Sequence, residues 1–375
     1  MAEPIRVLQC FGRMDRGGAE TLMMNVYRNI DRDKVQFDFV VHTTDKCAYD
    51  DEILALGGRI FRVPRYNGFN HLWYVSNWKN LFNSNKGNWQ VIHGHMFTTA
   101  SIYLRIAKIN NINTIVHSHN TSFDKGLKGI FKRILLRGIT KYADTLFACS
   151  QKAGFWLFGK NVCKKKKYYL INNAIDIKKY IFDELCRNKK RKELGIENKL
   201  VIGHIGRMDS NQKNHVFLLE IFSEICKIND ESILLLIGDG CLREKFEKKT
   251  SNLQLKDKVK FLGVRSDIPD LLQSMDIFLF PSMYEGLPIV LIEAQASGLK
   301  CIISSTITKE VEITNLIEFI PLDKSAKYWA NKALQQCFLK NRINTYSEID
   351  KAHYGIASTV SFLQKYYLNE KYEAE

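Results

Sequence analysis

The chain has 375 residues, 45% of them apolar and 25% charged, which is the composition of a soluble globular protein long enough for two domains. No apolar run approaches the length of a membrane span. The nine cysteines include no Cys-x-x-Cys pair, so neither a transmembrane segment nor a zinc or disulfide framework is predicted. The start of the chain carries no secretory pattern, and we therefore expect a cytoplasmic protein with reduced thiols.

The net charge of +15 is distributed unevenly along the chain. Residues 1–180 contain 28 Lys and Arg against 13 Asp and Glu, whereas residues 181–375 contain 27 of each kind. The whole excess of positive charge therefore lies in the first half. A basic half beside a neutral half indicates an anionic partner for the first domain.

Short apolar runs alternate with helical patterns along residues 1–176. The predicted strands are 5–10, 37–42, 59–63, 91–93, 114–117, 145–148 and 168–171, and the predicted helices are 19–27, 50–56, 71–84, 98–110 and 127–142. This alternation is typical of a doubly wound α/β domain with a parallel sheet. Ligands of such domains bind outside the carboxyl ends of the strands.

Glycines and histidines follow several of these strands. Gly17 and Gly18 open the first helix, where a glycine pair lets the backbone approach a ligand, although a tight turn explains the pair equally well. Two His-x-His pairs, His93/His95 and His117/His119, could supply four nitrogens to a metal ion. We predict no metal site, because no carboxylates that would orient ligated imidazoles are apparent nearby.

Residues 125–141 form a basic amphipathic pattern, with one apolar face and one face of Lys and Arg. Two interpretations remain open for this predicted helix. It is either a surface helix packed on its own domain or a contact with anionic lipid headgroups. The later basic run, Lys164–Lys167, predicts a solvated loop before the next strand.

A polar, charged linker is predicted over 178–198, and a second domain follows it. Its first strand runs into Gly206 and Arg207, and Lys213 precedes a predicted helix over 215–227. Arg supplies a planar fork of donors and Lys a mobile point charge, so the two suit a diphosphate. Further buried strands are predicted at 233–237, 259–262, 277–280 and 301–304, and helices at 267–274 and 356–369.

Two carboxylates stand out between the strands 277–280 and 301–304. Glu285 precedes a predicted helix over Leu287–Ser297, and Glu293 lies within it. Pro288 suits the first helical turn, and the amides after Gly286 suit a phosphate. Glu293 lies in an otherwise apolar helix, where a half-buried carboxylate needs a partner such as a ribose hydroxyl.

The pattern Pro-Ser-x-x-Glu-Gly-x-Pro-x-x-x-x-Glu-Ala over residues 281–294 resembles the signature of retaining glycosyltransferases of family 4. The resemblance extends over nearly the whole chain and implies the GT-B fold, an α/β architecture of two doubly wound Rossmann-like domains facing across a cleft. It implies an acceptor-side domain over 1–176, with a C-terminal helix at about 355–375 packed back on it. The nucleotide-sugar-binding domain would comprise 177–354.

The resemblance also implies roles for individual residues. Residues similar to catalytic positions of the family are His119 and Glu285, and His95 and Asn120 fall on the acceptor side. The residues implied in donor binding are Gly17, Gly18, Arg207, Lys213, Gly238, Arg265, Gly286, Leu287, Pro288 and Glu293. No cofactor is implied beyond the nucleotide-sugar substrate. We expect no metal requirement, because the sequence has no Asp-x-Asp motif.

The resemblance predicts retaining transfer of a hexose or N-acetylhexosamine from a nucleotide diphosphate sugar, most often UDP-linked. The acceptor would be a saccharide, lipid-linked in keeping with the basic first half, in capsule or exopolysaccharide synthesis. The enzyme would be cytoplasmic or peripheral on the inner face of the plasma membrane. A GT-B nucleotide-sugar epimerase is the alternative. A dehydrogenase would need a dinucleotide fingerprint, which is lacking, and a basic nucleic-acid binder leaves the diphosphate site unexplained.

Overall fold

The computed structural model of the protein describes residues 3–119, 138–337 and 342–369. The chain forms two compact units, Met1–Ile175 with Gly355–Glu375, and Asp176–Tyr354. Within the first unit, the Ile356 amide donates to the Ile175 carbonyl at 2.9 Å. In the described ranges, no helix is long and apolar enough to cross a membrane.

The first unit contains a seven-stranded parallel sheet in the order β3-β2-β1-β4-β5-β6-β7. The strands are β1 Ile5–Phe11, β2 Val35–Val41, β3 Ile60–Arg62, β4 Val91–Gly94, β5 Asn113–Ser118, β6 Thr145–Ala148 and β7 Lys167–Leu170. The described helices are Gly18–Asn29, Asp50–Ala55, His71–Ser84, Ala100–Ile109, Ile139–Tyr142, Gln151–Phe158, Lys160–Lys165 and Ile356–Tyr367.

Both faces of this sheet are covered, as parallel sheets require. Alternate residues of β1 point to opposite faces, so Val7 belongs to one apolar cluster and Leu8 to another. The helix Ile356–Tyr367 contributes Leu363 and Tyr367 to the same cluster as Val7. The end of the chain is thereby built into the core of the first unit.

The second unit contains a six-stranded parallel sheet in the order β10-β9-β8-β11-β12-β13. The strands are β8 Leu200–Ile205, β9 Ser232–Ile237, β10 Val259–Gly263, β11 Ile277–Phe280, β12 Cys301–Ser304 and β13 Ile317–Ile320. The described helices are Glu184–Leu194, His215–Ile228, Arg243–Asn252, Ile268–Ser274, Ile289–Ala296, Ala326–Cys337 and Tyr346–Lys351.

Each sheet has one topological switch point. In the first unit it lies between β1 and β4, and in the second between β8 and β11, because the chain winds outward from the central strand first to one side and then to the other. Loops that leave two such neighbouring strands turn in opposite directions, which opens a crevice at the carboxyl edge of the sheet. These two edges position the candidate functional residues.

Two predictions about charged segments are wrong. The predicted linker 178–198 contains the helix Glu184–Leu194, which is capped by the Asp183 side chain and ends at Gly195 in the left-handed region. Its Arg191 donates to Asp276 at 2.6 Å. A charged helix whose charges are paired within the fold has the same composition as a solvated linker, so composition alone does not separate them.

The run Lys164–Lys167 is not a loop, because it ends the helix Lys160–Lys165 and begins the edge strand β7. Lys167 is the one lysine of β7, and a lysine on an edge strand hinders pairing with another sheet. Of the predicted basic helix 125–141, residues 125–137 lie outside the described residues. The described remainder begins at Gly138, which precedes the short helix Ile139–Tyr142.

Candidate active site

In the second unit, a partly buried ion pair joins the two loops at the switch point. The Lys213 ammonium follows β8 and donates to Glu285 Oε1, which follows β11, at 2.7 Å. The side chains are only 18% and 9% exposed, respectively. Lys213 Nζ also lies 4.8 Å from the centre of the Phe280 ring. The structure therefore brings together two predicted site residues that are 72 positions apart.

Glycines allow the loops after β8 and β9 to approach closely. Gly238 has φ of +130°, and a Cβ added to it would lie 2.1 Å from the Gly206 carbonyl oxygen. Gly240 has φ of +157°, and its added Cβ would lie 2.3 Å from the Met208 carbonyl carbon. No side chain fits at either position. Gly238, predicted to contact the nucleotide, thus also has a structural requirement for glycine.

The two arginines predicted to bind the donor, Arg207 and Arg265, differ in how strongly their side chains are paired with neighbouring carboxylates. Arg207 is 82% exposed in its side chain, and its guanidinium lies 3.4 Å from Asp209, a contact that costs little to break. Arg265 forms two hydrogen bonds to Asp267, at 2.8 and 2.7 Å, and holds the pKa of that carboxyl well below its usual range. Arg207 is therefore available to an anion, whereas Arg265 is committed to its neighbour.

The helix after Glu285 starts two residues later than predicted, at Ile289. Pro288 is its N-cap with an extended ψ of 105°, so the prediction that it lies in the first turn is wrong. The amides of Ile289 and Val290 precede the first intrahelical hydrogen bond. With the neighbouring Gly286 and Leu287 they form the positive end of the helix dipole, which favours an anion.

Glu293 lies in the second turn of this helix and is partly exposed. The Tyr180 hydroxyl donates to Glu293 Oε1 at 2.8 Å. Burial raises the pKa of Glu293 to about 6, against the opposing effect of that hydroxyl. The hydrogen-bond partner expected for Glu293 is therefore Tyr180, which lies 113 positions away along the chain. No feature of the sequence identifies Tyr180 as that partner.

Two histidines that sequence reasoning missed lie beneath Lys213. His204 and His215 are buried, with ring centres 5.0 Å apart, and burial together with the Lys213 charge lowers the pKa of each. The His204 Nδ1–H donates to the Leu279 carbonyl at 2.8 Å, so its Nε2 carries a lone pair. Both rings therefore stay neutral, and they add no positive charge that would compete with Lys213.

In the first unit, the two His-x-His pairs form one stacked cluster at the ends of β4 and β5. His93 and His95 have ring centres 4.2 Å apart, and His117 and His119 have ring centres 4.0 Å apart. His93 Nδ1 and the Tyr367 hydroxyl are hydrogen-bonded, with the two atoms 2.7 Å apart. The C-terminal helix therefore reaches the histidine cluster, which the sequence alone did not indicate.

Hydrogen bonds set the tautomers along this cluster. His95 Nε2 donates to the Gln9 side-chain carbonyl at 2.9 Å, so His95 Nδ1 accepts from His119 Nε2, also at 2.9 Å. His119 Nδ1 is then a lone pair, and it has no hydrogen-bond partner among the described residues. Burial lowers the pKa of His119 to about 3. His119 is therefore a neutral hydrogen-bond acceptor, and His95 is the buried residue that orients it.

Nitrogens of His93, His95 and His117 lie within 4.8 Å of one another, so these three residues could hold a metal ion. Tetrahedral zinc sites hold nitrogens at 2.0–2.1 Å from the metal, and thus about 3.4 Å apart. The rings of His93 and His117 are parallel within 7°, with centres 5.4 Å apart. The prediction that no metal binds here stays a prediction.

The glycine pair after β1 has an ordinary backbone. Gly17 caps the helix Gly18–Asn29 with φ of −97° and ψ of 170°, so no left-handed conformation requires glycine there. A Cβ added to Gly18 would meet nothing within 4 Å, which leaves space for a ligand. Asn120, predicted on the acceptor side, lies outside the described residues.

Two units in one chain, each built on a parallel sheet with one switch point, have the architecture of the GT-B fold. The Anabaena protein HepE, whose crystal structure is in complex with UDP-glucose, has this fold. It superposes with a TM-score of 0.70 over 96% of this chain and 95% of that chain, at 18% sequence identity. The predicted GT-B, doubly wound α/β fold is confirmed.

Family models confirm the predicted resemblance. "Glycosyltransferase Family 4" matches residues 16–179, and "Glycosyl transferases group 1" matches residues 187–344. EpsF of Bacillus subtilis (strain 168), whose name places it among the glycosyltransferases, is 38% identical over 335 residues, which are 87% of this chain and 86% of EpsF. The chain belongs to glycosyltransferase family 4 and is a glycosyltransferase.

Two further relatives have more specific names. The capsular polysaccharide biosynthesis glycosyltransferase CapH of Staphylococcus aureus is 26% identical, over 98% of this chain and 99% of CapH. An Escherichia coli enzyme named UDP-Gal:alpha-D-GlcNAc-diphosphoundecaprenol alpha-1,3-galactosyltransferase is 28% identical over 59% of each chain.

Proposed function

We propose that this glycosyltransferase moves a hexose or N-acetylhexosamine from a UDP-sugar to a lipid-linked saccharide, with retention, during bacterial surface polysaccharide synthesis. The observation that carries the proposal is the partly buried Lys213–Glu285 pair at the switch point of the second unit. The names of the relatives support its finer parts: UDP-glucose for HepE, a diphosphoundecaprenol acceptor for the E. coli enzyme, and capsular polysaccharide for CapH.

Lys213, Arg207 and the first amides of the helix Ile289–Ala296 act on the donor diphosphate. The bond from the anomeric carbon to the β-phosphate oxygen breaks in the reaction, and negative charge develops on that oxygen. Cations and amides held at this place stabilise the transition state more than the bound substrate. Glu285 accepts from a hydroxyl of the sugar, and Glu293 accepts from the ribose.

Retention follows from attack on the face that the phosphate leaves. The acceptor oxygen bonds to the anomeric carbon, and its proton passes to the departing phosphate oxygen, so no enzyme nucleophile is needed. In the first unit, the neutral His119 Nδ1 accepts from a donor-sugar hydroxyl, and the Gly17–Gly18 turn leaves room for the sugar. We propose that no metal takes part, because Lys213 and Arg207 already supply positive charge.

Ligand-induced stabilisation tests the nucleotide part of this function. UDP at about 100 times its Kd should stabilise the second unit by about 2.7 kcal/mol, because it binds only the folded state. The measurement is a thermal-shift panel of UDP, GDP, CDP and their sugars. NAD⁺ is the control for a dinucleotide site. If no uridine nucleotide raised the melting temperature, the proposed donor would be wrong.

Product analysis tests the reaction itself. With a UDP-sugar and a lipid-linked acceptor, the product should have the anomeric configuration of the donor, measured from its NMR coupling constant. The epimerase alternative predicts a different outcome, namely an epimerised sugar together with UDP in the absence of any acceptor. An inverted glycoside would contradict retention but leave the donor assignment in place.

Replacing Glu293 with Gln should stabilise the unliganded enzyme at neutral pH. The folded-state pKa is raised to about 6, so the wild-type carboxylate costs stability above that pH and costs nothing below the unfolded value of about 4.3. We expect Glu293→Gln to gain roughly 1–2 kcal/mol at pH 8 and nothing at pH 4, measured by urea unfolding. The same change should weaken UDP binding roughly tenfold, because a charged acceptor is lost.

Tyr180→Phe is the matched control for this pH dependence. It removes the hydroxyl that donates to Glu293 but leaves the carboxylate in place, so the loss of stability with rising pH should become larger. A Glu293→Gln protein with the same pH dependence as wild type would show that Glu293 is not the titrating group.

A further inference from the structure

A buried glutamine lies in the central strand of the first unit. Gln9 belongs to β1, is fully buried and shares its face of the strand with the apolar Val7 and Phe11. An amide in such surroundings costs stability unless its polar atoms are hydrogen-bonded. Gln9 Oε1 lies 2.9 Å from His95 Nε2, and Gln9 Nε2 lies 3.4 Å from the Tyr367 hydroxyl oxygen. The side chain therefore connects the last helix to the histidine cluster.

The orientation of this amide decides which nitrogen of His119 carries a hydrogen. With Oε1 toward His95, as in the structure, His95 Nε2 carries its hydrogen and His95 Nδ1 is a lone pair. His95 Nδ1 then accepts from His119 Nε2, which leaves His119 Nδ1 as an acceptor. With the amide rotated by half a turn, Gln9 would donate to His95, His95 would donate to His119 Nε2, and His119 Nδ1 would carry the hydrogen. One side chain of β1 thus selects between acceptor and donor at His119 Nδ1.

Tyr367 can hold the amide in the orientation that the structure has. Its buried hydroxyl has one hydrogen and two lone pairs, and its nearer neighbour is His93 Nδ1, at 2.7 Å. With that hydrogen toward His93, the hydroxyl offers only lone pairs to Gln9. A rotated amide would then place two oxygens against each other with no hydrogen between them. We call the series His93, Tyr367, Gln9, His95 and His119 the hydrogen-bond chain.

The ring between Gln9 and His119 is held in place by stacking. His95 is buried, and its ring lies on that of Phe11, with centres 4.2 Å apart and planes within 8° of parallel. The ring cannot tilt without losing this contact. A change at Gln9 should therefore reach His119 as a change in which nitrogen is protonated, and not as a movement of the ring.

We propose that Gln9 is a positioning residue for the transfer reaction. Its amide, held by a Tyr367 hydroxyl that donates to His93, makes His119 Nδ1 a hydrogen-bond acceptor. The proposal rests on the proposed function in that His119 accepts from a hydroxyl of the donor sugar. A fixed acceptor keeps every enzyme molecule competent for that bond, whereas a mixture of tautomers lowers the apparent affinity in proportion to the competent fraction.

Nitrogen-15 NMR of the unliganded full chain, labelled at histidine, measures the tautomer of His119 at neutral pH. Protonated and unprotonated imidazole nitrogens have widely separated shifts, and His119→Asn identifies the signals of His119 among the nine histidines. In the wild type, His119 Nδ1 should be unprotonated and Nε2 protonated. In Gln9→Met and in Tyr367→Phe, both signals should move to those of a mixture of tautomers. Tyr367→Phe keeps the aromatic ring, so it still tests the proposal if Gln9→Met does not fold.

Tyr366→Phe is the matched control. The Tyr366 hydroxyl lies in the same helix but donates to Thr145 Oγ1 at 2.6 Å, outside the hydrogen-bond chain. Its removal should leave the His119 signals as in the wild type. Wild-type His119 signals in Tyr367→Phe would overturn the proposal. So would an equal change in Tyr366→Phe, because the packing of the helix would then explain the effect.

Glycosyl transfer gives a second readout. In each variant, kcat/KM relative to wild type should equal the fraction of the acceptor tautomer, about one half where the two tautomers are equally populated. Stabilisation by UDP, which lacks the sugar, should be unchanged. A changed tautomer with wild-type kcat/KM would overturn the positioning role of Gln9 together with the proposed role of His119. No stabilisation of the wild type by UDP would contradict the proposed donor alone, because the tautomers are measured without ligand.

Discussion

Replacing Lys213 with Met is expected to lower kcat/KM for transfer roughly 100- to 1,000-fold, the usual effect of removing one preorganised donor to a developing anion. It should also reduce the stabilisation by UDP, because the buried ammonium is the cation that the fold holds at the strand ends. Glycosyl transfer and thermal shift measure the two effects.

The ion pair between Lys213 and Glu285 predicts non-additive changes in the free energy of unfolding. Removing either partner leaves a partly buried charge unpaired, and each single change, Lys213→Met or Glu285→Gln, should cost roughly 1–3 kcal/mol in the unliganded protein. The double variant should cost much less than the sum, because it leaves no lone charge. Additive costs would show that the pair does not exist in solution.

An exposed ion pair in the same unit is the control for this cycle. Lys199 contacts Glu231, and their side chains are 36% and 65% exposed. Lys199→Met should change stability by less than about 1 kcal/mol and leave transfer unchanged. If it lowered kcat/KM as much as Lys213→Met, general loss of positive charge rather than the switch-point site would explain the effect.

Acidification should destabilise the first unit steeply. Burial lowers the pKa values of His93, His95, His117 and His119, so all four stay neutral in the fold but take up protons when unfolded below about pH 6.5. The unfolded state then binds more protons, and stability falls as pH falls. Together they should lower the free energy of unfolding by about 5 kcal/mol between pH 6 and pH 5.

Urea unfolding at several pH values measures this loss. Tryptophan fluorescence reports mainly the first unit, which contains four of the five tryptophans. His117→Phe should remove about 1.2 kcal/mol of the loss between pH 6 and pH 5, because one proton-binding site disappears while an aromatic ring remains. Neither nitrogen of His117 has a hydrogen-bond partner among the described residues, so no such bond is lost.

Val116→Ala is the control for the pH dependence. Val116 is fully buried in β5, next to His117, and does not titrate. Its truncation should lower stability by a similar amount at every pH. If His117→Phe changed stability in the same pH-independent way, the histidine cluster would not be the source of the acid sensitivity.

Periodicity alone predicted much of the fold. The helix 71–84 and the strands 145–148 and 277–280 have the predicted bounds, because a helical apolar period marks the first and short apolar runs mark the two strands. The helices Arg243–Asn252 and Ala326–Cys337 were not predicted, and their mixed polar sequences explain why. The helix Glu184–Leu194 was mistaken for a linker for the same reason.

The sequence by itself determined the chemistry of the second unit. Glycines, two cations and two carboxylates stand at strand ends and at a helix start, and those positions follow from local pattern. The comparisons confirm the family that these residues indicate. The role of each individual residue stays a prediction.

Only the tertiary structure decided which side chains meet. Lys213 reaches Glu285 because β8 and β11 are neighbours at the switch point, and Tyr367 reaches His93 across 274 positions because the last helix returns to the first unit. Strand order and a helix's destination depend on long-range packing, which no local period encodes. The hydrogen-bond partners of Glu293, His95 and His119 could not be predicted from the sequence, because they come from distant parts of the chain.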